Sequence, residues 1–335
     1  MKNTLYLVTG AAGFLGNNIV HQLITRGKSV RALVLPGDKA AQYLPEKTEV
    51  CYGDLTELSR LEHFFSVPEG VELVVIHCAS LVTTSPNEDP LVYNVNVTGT
   101  KHIVALSVKH NVKKLVYVSS TGAILELPHG QIIEEPLSFY PEKVIGYYAK
   151  TKALATQHVL NSVNETGLDA TIIYPSGISG PYDGSFGPFV SFIIRYCKGD
   201  MPVGVEGTFN AVDVRDLATA TIEAVTKGRK GEGYILSNEL VEMRQMFDLI
   251  SLSSGAPIVE TILPPQQMLE MAGANLASKS TTNDKRDSIK FELYNLSRNN
   301  NFSNQKAKQE LGFELRPFDE TIRDTITWLK NEKKI

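Results

Sequence analysis

A doubly wound, parallel α/β sheet with a smaller, discontinuous C-terminal lobe is the fold that this 335-residue sequence predicts. Three observations carry the prediction. Short apolar runs alternate with helical periodicities through the first half of the chain. The strand candidates are nearly continuously apolar, as strands covered on both faces must be. A loop with regularly spaced glycines joins the first strand to the first helix, which is where such sheets turn toward a ligand.

The elements follow in order. Leu5–Thr9 is a short apolar run that ends at Gly10, and Phe14–Arg26 has helical spacing at Leu15, Ile19, Leu23 and Arg26 until Gly27 stops it. Ser29–Leu35 is the second strand candidate. The alternation continues through Glu49–Tyr52, Thr56–Phe65, Leu73–Cys78, Pro90–His110 and Leu115–Ser119. A long helix is predicted over Gly146–Glu165 and a strand over Ala170–Tyr174. After Pro175, Ser176–Gly187 is rich in Gly, Ser and Pro and reads as an exposed loop. Val212–Thr226 reads as a further strand-to-helix unit and Tyr234–Leu236 as another strand. Asn275–Asn301 is polar and irregular, suiting a flexible flap or substrate cover, and Phe318–Lys330 closes the chain as an amphipathic helix. The expected division is a sheet domain over 1–175 and a lobe mainly over 176–301. Residues 208–237 return to the sheet, and 302–335 form a helical C-terminal segment.

Composition narrows the function. With 33 basic and 37 acidic residues the formal charge is −4. Neither nucleic acid nor an anionic membrane is therefore expected as partner, since both reward a basic surface. The three cysteines, Cys51, Cys78 and Cys197, form no C-x-x-C pair and no cluster with histidine, so no disulfide framework or zinc site is expected. Cys51 and Cys78 sit in apolar runs and read as buried thiols. The seven histidines have no metal-ligand spacing. No leader or membrane span is legible, and the expected compartment is the cytoplasm.

Two constellations carry chemistry. Thr9-Gly10-Ala11-Ala12-Gly13-Phe14-Leu15-Gly16 follows a strand and opens a helix. In that context glycines allow a tight turn and close backbone approach to a pyrophosphate, and the helix start supplies free N–H groups. The spacing is G-x-x-G-x-x-G. In Tyr148-Ala149-Lys150-Thr151-Lys152, Tyr148 and Lys152 stand four apart and share one helix face. Ser119-Ser120 ends the fifth strand at the carboxyl edge of the sheet. Tyr147 and Ser119 are the neighbouring alternatives; four residues beyond Tyr147 stands Thr151 rather than a lysine. Asp213 and Asp216 precede or open a helix, where capping explains them.

These residues resemble the extended short-chain dehydrogenase/reductase family, the NAD-dependent epimerase/dehydratase superfamily. Further segments carry the resemblance: Gly53-Asp54-Leu55, His77-Cys78-Ala79-Ser80, Asn94-Val95-Asn96-Val97-Thr98-Gly99-Thr100, Pro175-Ser176-Gly177-Ile178 and the late run Phe302–Phe313. Two departures are Thr156, where the family usually has glutamate, and Tyr174, where it usually has arginine. The resemblance implies a Rossmann sheet with a substrate lobe and a Ser120, Tyr148, Lys152 catalytic set. Tyr148 would be the general acid/base, Lys152 would lower its pKa and hold the cofactor ribose, and Ser120 would hydrogen-bond the substrate oxygen. It also implies cofactor contacts from Gly10, Gly13, Phe14, Leu15, Gly16, Asp54, Leu55, Ala79, Ser80, Tyr148, Lys152, Pro175, Gly177 and Ile178. Pairing of two chains through the helices over Pro90–His110 and Gly146–Glu165 would make a homodimer.

The end of the second strand selects the cofactor: a carboxylate there suits NAD, a cation suits the extra phosphate of NADP. Val34 and Leu35 offer neither, while Arg31 and Lys39 are cations nearby, so NADP(H) is slightly favoured over NAD(H). Thr121-Gly122-Ala123-Ile124 after Ser120 is closer to the dihydroflavonol reductase and 3β-hydroxysteroid dehydrogenase branches than to the sugar epimerases. The implied reaction is reversible hydride transfer to a carbonyl, or from a secondary alcohol, of a mostly apolar small molecule. Aldehydes, ketones, flavonoid-like and steroid-like molecules all fit. Two alternatives stay open: a nucleotide-sugar epimerase or dehydratase with tightly held NAD, and a non-catalytic dinucleotide sensor.

Overall fold

The computed structural model of the protein describes residues 3–277 and 283–335. The first half runs β1 (Thr4–Thr9), α1 (Phe14–Thr25), β2 (Ser29–Val34), β3 (Glu49–Tyr52), α2 (Leu58–Phe65), β4 (Glu72–His77), α3 (Pro90–Tyr93), α4 (Gly99–Lys109), β5 (Lys114–Val118), α5 (Tyr147–Thr166) and β6 (Ala170–Pro175). It continues through β7 (Gly177–Ser179), α6 (Pro188–Cys197), β8 (Gly204–Val205), β9 (Thr208–Asp213), α7 (Val214–Lys227) and β10 (Gly233–Leu236). The chain ends with β11 (Leu240–Glu242), α8 (Met243–Ser254), β12 (Ile262–Leu263), α9 (Pro265–Ala277), α10 (Asn283–Ser297), α11 (Gln305–Leu311) and α12 (Phe318–Asn331).

Seven strands form one sheet in the order β10-β6-β5-β4-β1-β2-β3, with every neighbouring pair parallel. The side-chain period of two sorts the strand residues between two cores. Tyr6, Val8, Val30, Ala32, Val74, Ile76, Val116 and Ile173 join α1, α7 and α11 on one face. Leu7, Leu33, Leu73, Val75, Leu115, Tyr117 and Ile172 join α2, α4 and α5 on the other. The strand order reverses between β1 and β4, so their carboxyl ends open the crevice in which such sheets bind ligands. A third core gathers α6, α8 and α12, with Val190, Phe247, Ile322 and Leu329 at its centre.

Three readings change. Ser176–Gly187 is not an exposed loop throughout. Gly177–Ser179 pairs with β9 in a second, three-stranded sheet, and Gly177 is required there because a Cβ would lie 2.2 Å from the Phe209 ring. Asn275–Asn301 contains helical chain, the end of α9 and α10, rather than an irregular flap; residues 278–282 lie outside the described residues. Its polar composition hid the period: within α10 Leu293 is buried and Leu296 packs against the third core. The C-terminal segment also divides: α11 packs on α7 and β10, whereas α12 packs on α8 and α6.

Candidate active site

The glycine loop crosses the point where the strand order reverses. Gly10 has φ +64°, and a Cβ there would come within 2.7 Å of the Ala79 backbone at the end of β4. A Cβ on Gly16 would lie 2.1 Å from the Gly10 carbonyl oxygen. Only glycine permits both approaches. Gly13 caps α1 with no side-chain bond, and no acidic residue occupies the first turn. The N–H groups of Phe14, Leu15 and Gly16 and the positive end of the helix are thus uncompensated by protein charge, which suits a pyrophosphate.

A buried polar chain pins this junction. Thr9 Oγ1 accepts from Ala79 N at 3.2 Å, so its proton goes to His77 Nδ1 at 2.6 Å. The opposite ring nitrogen of His77 then donates to Thr100 Oγ1 at 3.0 Å, and Thr100 donates to the Asn96 carbonyl at 2.6 Å. Burial keeps the His77 imidazole neutral by lowering its pKa to about 3. His77 therefore holds the strand ends together. Ala79 lies against Gly10, and Leu55 lies against Gly99, where a Cβ would be 2.8 Å away. Asp54 folds its Oδ1 back onto the Thr56 N–H and hydroxyl, both at 2.8 Å.

The catalytic candidates converge from β5 and α5. Ser120 begins a tight turn after β5 and accepts from Gly122 N at 3.0 Å. Gly146, at φ +97°, caps α5, and the Phe291 ring occupies the space its Cβ would take. Tyr148 stands in the first turn of that helix, with the hydroxyls of Ser80 and Ser120 on the side of its phenol. Lys152, one turn on, is 2% exposed; its Nζ donates to the Val118 carbonyl at 2.6 Å and lies 4.9 Å above the Tyr117 ring. Burial lowers its pKa to about 7, opposed by the neighbouring Cys78. The Tyr148 phenol is raised by burial above its ordinary value, against the pull of Ser80 and Ser120. Burial outweighs the serines, and the ammonium faces a carbonyl while itself resisting charge.

The neighbouring alternatives separate cleanly. The Ser119 hydroxyl is 2% exposed and bonds Thr156 Oγ1 at 2.6 Å, so Thr156 ties α5 to β5. Tyr147 is buried beside Tyr93, Glu88 and Asp89, away from Ser120. Asp213 caps α7 through Arg215 N at 2.8 Å, and Asp216 pairs with Arg316. Cys51 is buried, while Cys78 is only partly covered, its thiol raised to about 12 by burial.

Arg31 is placed differently from the reading that gave it a cofactor phosphate. Its Nε bonds Glu49 at 2.8 Å, and its Nη1 donates to the carbonyls of Phe64 at 2.9 Å and Ser66 at 2.8 Å. The pleat directs it under α2, where it caps that helix's carboxyl end. It is thus turned away from the ligand edge. Pro175 ends β6, with its carbonyl 3.3 Å from Thr121 Oγ1, and Gly177 and Ile178 belong to β7.

The substrate side holds residues that the sequence did not single out. A recess of about 30 Å³ beside Ser120 is lined by Gly122, Ile124, Glu126, Val144, Tyr294 and Arg298, among others. Glu126 accepts from the Tyr294 hydroxyl and, at 2.9 Å, from Asn299 N, latching α10 to the loop after β5. No spacing motif links residues 168 positions apart, so only the fold brings them together. Among the described residues no group of three or more His, Cys, Asp or Glu is placed to hold a metal ion, and no helix is long and apolar enough to cross a membrane.

Comparison with known proteins gives the family and the fold. A 31% identical relative over 268 residues, covering 79% of each chain, is "Sterol demethylase protein B" of Methylococcus capsulatus. The "4-hydroxy-2-methyl-3-oxo-4-farnesyl-3,4-dihydroquinoline-1-oxide ketoreductase" of Stigmatella aurantiaca is 29% identical over 313 residues, covering 91% of this chain and 90% of its own. The crystal structure of gox2253 superposes with a TM-score of 0.83 at 28% identity, over 99% of both chains. The family model described as "NAD dependent epimerase/dehydratase family" matches residues 6–237. The chain belongs to the NAD dependent epimerase/dehydratase family, the extended short-chain dehydrogenases.

Proposed function

We propose that the chain is an NAD(P)-dependent oxidoreductase that moves a hydride reversibly between nicotinamide and a carbonyl or secondary alcohol of a mostly apolar small molecule. The observation that carries this reading is the convergence of Ser120, at the turn after β5, with Tyr148 and the buried Lys152, on α5, at the carboxyl edge of the sheet that also carries the glycine loop. Gly10 and Gly16 let the end of β1, the end of β4 and the start of α1 approach too closely for any Cβ, and the α1 start carries no capping side chain or acidic residue, so the residues present fit a dinucleotide pyrophosphate. When bound, the nicotinamide supplies or accepts the hydride.

The protein's own groups handle the proton. Ser120 has one hydrogen to give, since its oxygen already accepts from Gly122 N, and it steadies a substrate oxygen as charge gathers there. Tyr148 gives its proton to that oxygen in reduction and takes it back in oxidation. Burial holds the phenol protonated, so it stands ready as the proton donor. Lys152 orients a ribose hydroxyl and, once charged, draws the phenol toward phenolate. Relatives named for sterol and quinoline ketone chemistry support an apolar substrate.

For the cofactor, NADP(H) is slightly favoured. No carboxylate ends β2, and with Arg31 turned under α2 the exposed Lys39, at the start of the next turn, is the residue proposed to meet a 2′-phosphate. The test is depletion of NADPH and of NADH against aldehydes, diketones, flavonoids and oxo-steroids. Net oxidation of reduced cofactor by an added carbonyl is expected. Isomerisation of a nucleotide sugar with no net cofactor change would instead assign the epimerase reading, and cofactor binding without any turnover would favour a sensor.

A further inference from the structure

A buried arginine near the Ser120 turn carries more donors than the protein answers. Arg298 directly follows α10, and its side chain is nine-tenths buried. A guanidinium has five N–H donors and stays charged, so burying one without acceptors is costly. Yet its Nε is buried with no hydrogen-bond partner, and no described residue accepts from the guanidinium. The carboxylate in ion-pair range is that of Glu126, whose Oε2 lies 3.9 Å from Nε, too far for a hydrogen bond.

Glu126 is turned to other donors. Its Oε2 accepts from the Tyr294 hydroxyl and its Oε1 from Asn299 N at 2.9 Å. Burial pushes the Glu126 carboxyl up, but those two bonds and the Arg298 charge outweigh it and hold the group below its ordinary value. Glu126 is therefore ionised, and it balances the charge of Arg298 without satisfying its N–H groups. Both residues line the recess of about 30 Å³ with Lys143 and Gly122, so the charged groups around it sum to one positive charge. Gly122 is also the residue whose N–H bonds Ser120 Oγ at 3.0 Å, which puts the recess on the catalytic turn. A space of that size takes one or two oxygen atoms and no ring.

We propose that Arg298 is a specificity-determining residue that receives a carboxylate of the substrate in this recess, so that the chain acts on oxo acids or hydroxy acids with an apolar body. This deepens the hydride-transfer reading and rests on it for its catalytic meaning. A carboxylate matches the recess on three counts. Its two oxygens suit the planar fork of a guanidinium. Its single negative charge complements the single positive charge of the lining. Its size is that of the space. A neutral ester carbonyl offers an acceptor but neither the second oxygen of equal strength nor the charge.

The test compares oxo acids with their methyl esters on the full chain saturated with NADP⁺ or NAD⁺, where no reduction can occur and calorimetry reads binding alone. The probes run from 2-oxo-4-phenylbutanoate to 5-oxo-5-phenylpentanoate, which varies the spacing between carbonyl and carboxylate. At least one acid is expected to bind about tenfold to hundredfold tighter than its ester, the worth of a hydrogen bond to a charged group. Arg298→Met should bring that acid down to the affinity of its ester and leave the ester and the cofactor unchanged. Arg298→Lys should recover only part of the loss, since an ammonium lacks the fork. Acids that bind no better than their esters throughout the series overturn the assignment, as does an Arg298→Met loss shared equally by acid and ester. The wild-type comparison needs no variant and decides even where a variant fails to fold. Failure of the hydride-transfer reading shows separately, as Arg298-dependent binding of the acid with no oxidation of added NADPH or NADH.

Discussion

The glycine loop lies against the end of β4 and the cover formed by α10 lies on the start of α5, and the two are specified in different ways. Around Gly10–Gly16 the geometry is set by contiguous residues and by backbone: two missing Cβ atoms let backbone pack on backbone, and α1 starts there without a side-chain cap. The cover is set by side chains from distant segments. Phe291 lies on Gly146, and Tyr294 and Asn299 are latched to Glu126. The first kind of site tolerates almost no substitution and is the same for any dinucleotide. The second rests on side-chain contacts that no local motif records.

This contrast can be broken from either side. The largest effect is expected from Gly16→Ala, whose methyl has to displace the Gly10 carbonyl 2.1 Å away. Cofactor affinity measured by calorimetry should fall by about 10- to 100-fold, the scale of 1–3 kcal/mol for overpacking a close contact. An unchanged Kd would show that the loop is not the pyrophosphate cradle.

Lys152→Met probes the buried floor through stability. The folded pKa of about 7 lies below the unfolded value, so protonation penalises the folded chain fully below pH 7. Wild-type stability should climb from pH 7 toward pH 10 as the unfolded state alone keeps its proton. Lys152→Met should melt a few degrees higher at pH 6, and the gap should close toward pH 10. A gap independent of pH would place the charged ammonium comfortably in the fold.

On the cover, Phe291→Ala should raise the substrate KM about three- to tenfold, as expected for losing part of a ring's apolar contact, and leave cofactor Kd unchanged. Coupled changes in both constants would erase the distinction between the two regions. The smallest effect is expected at Lys39→Ala. KM for NADPH should rise by up to about fivefold, the upper end for an exposed ion pair, with no change for NADH. Equal values for both cofactors would remove Lys39 from the phosphate site.

The sheet and the cradle were legible because their causes are local. Period-two apolar strands, a glycine triplet at the turn and a Tyr–Lys pair at helical spacing each record one physical constraint within a few residues. Ser119 and Ser120 are adjacent and chemically alike, and only the fold separates them, by giving Ser119 to Thr156. Arg31 misled because nearness to a strand end says nothing about face. The pleat puts it on the side of Leu33, under α2, where two helix carbonyls take its guanidinium. Glu126 and Tyr294 left no mark, since their pairing depends on the path of the whole chain between them.

The most direct measurement is single-turnover reduction by Tyr148→Phe, with cofactor binding measured on the same protein. The account predicts a rate lower by roughly 10²–10⁴-fold, the usual contribution of a positioned acid, with cofactor Kd within about twofold of wild type. Turnover at the wild-type rate with binding intact would contradict it.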